Sequence, residues 1–261
     1  MEVVVVAHAE HAAPIVADSY CALLATKPDA VLGLATGSTP LLVYKELIRR
    51  HKEQGLSFAQ AQAFNLDEYV GLPAGHPERY GTIIRREFTD QVDFAEGAVH
   101  GPDGLAEDLA QAGRDYDQAI ADAGGIDIQI LGIGSDGHLA FNMPGSSLVS
   151  RTRLKTLTSK TRQDNARFFD GDISQVPQHC LTQGLGTIME SRHAIMLGFG
   201  KGKAQAVAEA VEGGVSAHWP ASILQMHPHV TVVVDEDAAG QLVLAKYYAD
   251  TYAGKPPWQG I

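Results

Sequence analysis

Short runs of β-branched and apolar residues alternate with longer stretches of helical periodicity along most of this chain. Six runs read as strands: 2–7 (EVVVVA), 30–35 (AVLGLA), 61–66 (AQAFNL), 126–134 (IDIQILGIG), 193–199 (HAIMLGF) and 229–235 (HVTVVVD). The stretches between them predict helices over Ala12–Thr26, Pro40–Gln54, Leu105–Ala123, Lys203–Glu212 and Ala238–Thr251. The runs are apolar throughout rather than alternating, which marks strands covered on both faces. Strand–helix alternation of this kind predicts an α/β fold of the Rossmann-like kind: a doubly wound, mostly parallel sheet flanked by helices. Residues 141–190 are more polar and carry no clear strand pattern; they are expected to form a functional insertion packed on the same domain. A single domain over 1–261 is the expectation.

Composition narrows the picture slightly. The net charge of −11 argues against a general affinity for nucleic-acid backbones or anionic membranes. It leaves open a small anionic substrate held by a few local donors. The apolar run at 3–7 is too short for a membrane span or a signal-peptide core, and a cytoplasmic location is expected. Cys21 and Cys180 lie far apart in sequence and suggest neither a disulfide framework nor a zinc site.

Ligands of open parallel sheets bind beyond the carboxyl ends of the strands, and the candidate chemistry falls there. After the second run comes GLATGSTP (33–40), with Pro40 suited to a first helical turn. The amides at Gly37, Ser38 and Thr39 and the two hydroxyls make either an oxyanion site or a plain capped turn. After the third run, FNLDEYVGL (64–72) places adjacent carboxylates Asp67 and Glu68, of which one can enter a cleft while the other faces the scaffold. Asp67 could move a proton between neighbouring carbons; the alternative is an acidic turn or a helix cap. After the fourth run, Gly132 and Gly134 allow close ligand approach, and Gly137 separates Asp136 from His138. Asp-Gly-His is too compact for a helical metal pair, so a metal-free acid/base role is expected. Lys203, after the fifth run at a helix start, and Arg167 are candidate phosphate contacts.

Taken together, LGLATGSTP, FNLDEYVGL, GIGSDGHLAFN, SRTRLKTLT, RFFD and AVAEAVEGGVSAHWPAS resemble, in order and spacing, the glucosamine-6-phosphate deaminase family over nearly the whole chain. The resemblance implies a cofactor-free, metal-free conversion of glucosamine 6-phosphate and water to fructose 6-phosphate and ammonium. It implies that His138, assisted by Asp136, opens the pyranose ring, and that Asp67 carries a proton from C2 to C1. Thr36, Gly37, Ser38, Thr39, Glu68, Gly132, Gly134, Arg167 and Lys203 would bind the amino-sugar phosphate. Ser146, Arg153 and Lys155 match positions of an allosteric site found in regulated members, which are hexamers, and a homo-oligomer is expected.

Met143 departs from the pattern, because the family normally has a glutamate there that supports the histidine. A thioether preserves length but can neither accept a proton nor orient an imidazole through a charged hydrogen bond. The alternatives this leaves open are a slower deaminase, a preference for the galactosamine epimer, and a sugar-phosphate binding protein with little turnover. A lactonase of the related 6-phosphogluconolactonase type is the remaining enzyme alternative, and the Asp67 segment argues against it.

Overall fold

The structure is a computed structural model that describes residues 1–256 and 258–261. The amino-terminal half runs β1 (Glu2–Val6), α1 (Ala12–Thr26), β2 (Val31–Leu34), α2 (Ser38–Gln54), β3 (Gln62–Asn65), β4 (Asp67–Tyr69), α3 (Tyr80–Glu87), β5 (Val99–His100) and α4 (Leu109–Asp122). There follow β6 (Ile128–Gly132), β7 (Arg153–Thr156), α5 (Ser159–Asn165), β8 (His179–Thr182), α6 (Leu185–Met189), β9 (His193–Gly198), α7 (Ala204–Val211), β10 (Val230–Asp235) and α8 (Ala245–Ala253).

Seven strands form one parallel sheet in the order β1-β10-β9-β6-β2-β3-β5. The six apolar runs all enter it. All four residues of β2 and all six of β9 are buried, as expected of strands sandwiched between helices. From β2 the chain winds outward through β3 and β5, then returns to the other side of β2 with β6 and winds outward again through β9 and β10. The order therefore reverses between β2 and β6, the place beyond whose carboxyl ends open α/β sheets bind their ligands. The α/β doubly wound expectation is met.

Residues 141–190 depart from expectation. They contain β7 and β8, which join β4 in a second, antiparallel sheet in the order β4-β8-β7. β7 reads Arg-Leu-Lys-Thr with half-buried and exposed positions alternating, so it has no apolar run to betray it. β4 consists of the Asp67–Tyr69 segment, in which the two acids mask a three-residue strand. This sheet is moored to α4 by Asp117, whose carboxylate accepts from Thr152 N, Thr152 Oγ1 and Thr187 Oγ1. Apolar residues of the small sheet and its surroundings, including Tyr69, Leu72, Phe141, Phe169 and Cys180, form their own cluster beside the main core.

Two helices start later than their periodicity suggested. α4 begins at Leu109 because the Asp108 carboxylate accepts the Gln111 N–H, making Asp108 the N-cap. α8 begins at Ala245 because the Glu212 carboxylate draws in the amides of Val243 and Leu244 just ahead of it.

Candidate active site

The turn after β2 is held from beneath. Tyr44 of α2 is buried, and its hydroxyl both accepts from Ala35 N (3.0 Å) and donates to Ala35 O (2.8 Å). Gly37 follows with φ +112°, a backbone that disfavours any side chain, and serves as the N-cap of α2. Gly37 and Ser38 are exposed, while Thr36 and Thr39 are half-buried. The free amides of the first helical turn thus face outward beside two hydroxyls at the positive end of a 17-residue helix, an arrangement suited to a phosphate.

Asp67 lies beyond the neighbouring strand, β3. Its side chain is buried, and its carboxyl is pushed up to about 8, first by loss of hydration and then by the nearby Glu68 charge. Glu68, next in the strand, faces the other way. Its carboxylate accepts from Tyr69 N, Tyr80 N and Gly81 N at 2.9–3.0 Å and lies 3.6 Å from Arg79 Nε. It ties β4 to the start of α3. Glu68 thus takes the scaffold-facing place of the acidic pair, since successive residues of a strand turn to opposite faces.

The loop after β6 brings Asp136 and His138 together. His138 Nδ1 lies 2.6 Å from Asp136 Oδ1, and the His138 amide donates to the same oxygen at 3.3 Å. This bond holds the Asp136 carboxyl down at about 2. Gly134 is buried beneath the imidazole, where a Cβ would overlap the ring. Gly137 has φ +76°, and a Cβ there would approach Trp219 Cε3 to 2.7 Å. Trp219 and its neighbours therefore pack against the loop, and Ala221 N donates to Gly137 O. Gly132 closes β6 half-buried, with open space at its Cα. Two residues beyond His138, Ala140 has φ +50°, a strained conformation for alanine. Met143 is half-buried and packs on the cluster of Tyr69, Phe141 and Phe169.

Lys203 sits half-buried at the N-cap of α7, beyond β9. Burial lowers its pKa, partly offset by the Asp136 charge, so the two side chains share one electrostatic environment. The strand order β9-β6-β2-β3 thus sets Lys203, the Asp136–His138 pair, the Gly37–Thr39 turn and Asp67 on four adjacent strand ends. Arg167 is carried by the helical turn Ala166–Phe168, exposed, with its guanidinium 4.7 Å from the Phe168 ring centroid. No hydrogen bond among the described residues links it to the others. Arg153 and Lys155 share one face of β7. The Arg153 guanidinium donates to Asn142 Oδ1 at 2.9 Å, and Ser146 Oγ is buried with no partner among the described residues.

Sequence reading passed over Thr182, Gln183 and Asn142. Thr182 is the register partner of both Asp67 and Arg153, and its hydroxyl accepts from Phe141 N. Gln183 and Asn142 are buried side chains that bond main chain near Asp67 and near His138. The signal is tertiary for the bonds from Asn142 to Gln183 O and from Gln183 to Asn65 O, which span 41 and 118 residues, while the Asn142 bond to Leu139 O is local.

Comparison with known proteins was consistent across sequence and structure. A family model described as glucosamine-6-phosphate isomerases/6-phosphogluconolactonase matches residues 6–233. Proteins named glucosamine-6-phosphate deaminase from Beutenbergia cavernae and Mycolicibacterium smegmatis are 64% and 62% identical over 261 residues, covering all of both chains in each case. A solved structure described as a monomeric glucosamine-6-phosphate deaminase superposes with a TM-score of 0.89 at 42% identity, over 92% of this chain and 100% of that one. A 6-phosphogluconolactonase from Trypanosoma cruzi shares the fold at a TM-score of 0.74 and 20% identity, over 93% of this chain and 97% of that one.

Proposed function

Because the chain belongs to the glucosamine-6-phosphate isomerase/6-phosphogluconolactonase family, we propose that it is a glucosamine-6-phosphate deaminase, converting glucosamine 6-phosphate and water to fructose 6-phosphate and ammonium. The observation that carries the chemistry is a buried carboxyl, Asp67, with its pKa pushed up to about 8, on the same row of strand ends as the Asp136–His138 pair.

The phosphate docks on the amides of Gly37, Ser38 and Thr39 at the α2 N-terminus, with the Lys203 ammonium and Arg167 as cationic partners. That remote anchor fixes the reacting carbons against the acids and bases. Asp136 engages His138 Nδ1, which leaves Nε2 for the sugar. Nε2 takes the O1 proton and delivers it to O5, and the ring opens to the aldehyde. Asp67, protonated at neutral pH in the free protein, becomes a carboxylate when the substrate's cationic amine arrives beside it. The carboxylate removes the C2 proton while one ammonium proton passes to O1, giving a neutral enolamine, and it then returns the C2 proton at C1. The resulting C2 iminium takes up water and releases ammonium, leaving the C2 ketone.

A cytoplasmic setting and a homo-oligomeric state belong to the same reading. Cys21 and Cys180 are both free, in keeping with a reducing compartment, and among the described helices none is long and apolar enough to cross a membrane. Val243, Leu244 and Tyr247 stand exposed together around the start of α8, an apolar surface that a second subunit would cover. Sedimentation at micromolar concentration tests this. The deeper test is to incubate the purified protein with glucosamine 6-phosphate and measure fructose 6-phosphate and ammonium together. Equal yields of the two are expected. Absence of product from this sugar and from its galactosamine epimer would overturn the assignment.

A further inference from the structure

The proton-transfer groups of the site sit on two different sheets. Asp67 enters from β4 of the small sheet, and His138 hangs from β6 of the large one. One dipeptide, Thr182–Gln183 at the end of β8, bonds both. Toward Asp67, Gln183 N donates to Leu66 O at 2.8 Å and Gln183 Nε2 donates to Asn65 O at 3.1 Å. Toward the His138 loop, Thr182 Oγ1 accepts from Phe141 N at 3.2 Å and Gln183 O accepts from Asn142 Nδ2 at 2.8 Å. Asn142 Nδ2 also donates to Leu139 O, the residue next to His138, at 3.0 Å. Gln183 and Asn142 are fully buried, so water does not compete for these bonds.

We propose that Gln183 and Asn142 are positioning residues that set the placement of Asp67 and His138 relative to one another, Gln183 acting on the Asp67 side and Asn142 on the His138 side. The proposal rests on the deaminase reading. Its two halves separate because each side chain reaches only one of the two catalytic segments. Gln183→Met suits the test because the fold loses little. Asn65 O keeps the Tyr116 hydroxyl at 2.7 Å, and the substitution also removes Gln183 Oε1, which is buried without a partner among the described residues.

The experiment compares wild type, Gln183→Met and Asn142→Ser with glucosamine 6-phosphate carrying hydrogen or deuterium at C2. Each variant is expected to lose about 10- to 100-fold in kcat, with KM changed by less than about threefold, the scale of effect for misplacing a reacting group. The C2 isotope effect should rise in Gln183→Met, where proton abstraction by Asp67 is slowed. It should fall in Asn142→Ser, where ring opening by His138 becomes limiting. Lower activity with the isotope effect unchanged in both would mean mere loss of folded protein and overturn the proposal, as would undiminished kcat. A wild type without turnover sinks the deaminase reading instead. In that event the His138 imidazole ¹⁵N resonances decide alone: displacement in Asn142→Ser but not in Gln183→Met supports the proposal, and unmoved resonances in both overturn it.

Discussion

Replacing Asp67 by asparagine should make the protein more stable and inactive at once, and the gain in stability should depend on pH. Asp67 is 7% exposed and its carboxyl is pushed up to about 8, against 3.8 for an unperturbed aspartate. A raised folded-state pKa contributes stability that is fully present below the unfolded value and is lost as pH rises through the folded one. Between about pH 4 and pH 8 the folded chain holds a proton here that the unfolded chain has released. Each pH unit in that window costs the wild type about 1.4 kcal/mol at this one group. Asparagine has nearly the same shape, cannot ionise, and escapes the cost. The stability difference between Asp67→Asn and wild type should therefore widen by about 3 kcal/mol from pH 5 to pH 7 and level off above pH 8. Urea unfolding at pH 5, 6, 7 and 8 measures it, with the m-value as a check that both chains unfold in the same way. Turnover by the variant should fall at least about a thousandfold, since the amide cannot accept the C2 proton. A stability difference that is flat with pH would refute the reasoning, because it would mean that Asp67 titrates as an ordinary carboxylate.

The other predictions concern the His138 loop. Asp136→Asn removes the carboxylate from His138 Nδ1 and should lower kcat by about 10²- to 10⁴-fold with a smaller change in KM, measured by steady-state kinetics. The Asp136 carboxyl is held down at about 2, so its interaction with His138 is present above the ordinary carboxylate pKa and fades only as pH falls toward 2. The acid limb of the wild-type pH profile should accordingly not arise from Asp136. Gly134→Ala places a methyl in the volume of the His138 ring and should cost more than about tenfold in kcat, the scale expected when a catalytic group is displaced. Its near-UV circular dichroism should stay native. Met143→Glu should raise turnover with little change in affinity for inorganic phosphate as a competitive inhibitor; unchanged or reduced turnover would mean that this chain does not rely on that position.

Sequence patterning determined the large sheet and the loops that follow its strands. Both are legible because they rest on local causes. A strand buried on both faces must be apolar along its length, and loops that admit a ligand need glycines where a Cβ would collide, as Gly134 and Gly137 do. Adjacent acids in 67–68 were visible too, but not which of them faces the cleft. That was decided by β4, a strand too short and too polar to have a periodicity of its own, which sends Asp67 one way and commits Glu68 to the amides of Tyr69, Tyr80 and Gly81. The small sheet was hidden for the same reason, since β7 alternates half-buried and exposed positions and β8 is only four residues long. Met143 stood out in sequence as a missing carboxylate. Only the fold reveals that this half-buried methionine packs against an apolar cluster that includes Tyr69, Phe141 and Phe169. The raised Asp67 carboxyl and the bonds through Gln183 and Asn142 are likewise tertiary facts. Burial and long-range hydrogen bonding depend on which segments meet, and no local pattern encodes a meeting between residues more than a hundred positions apart.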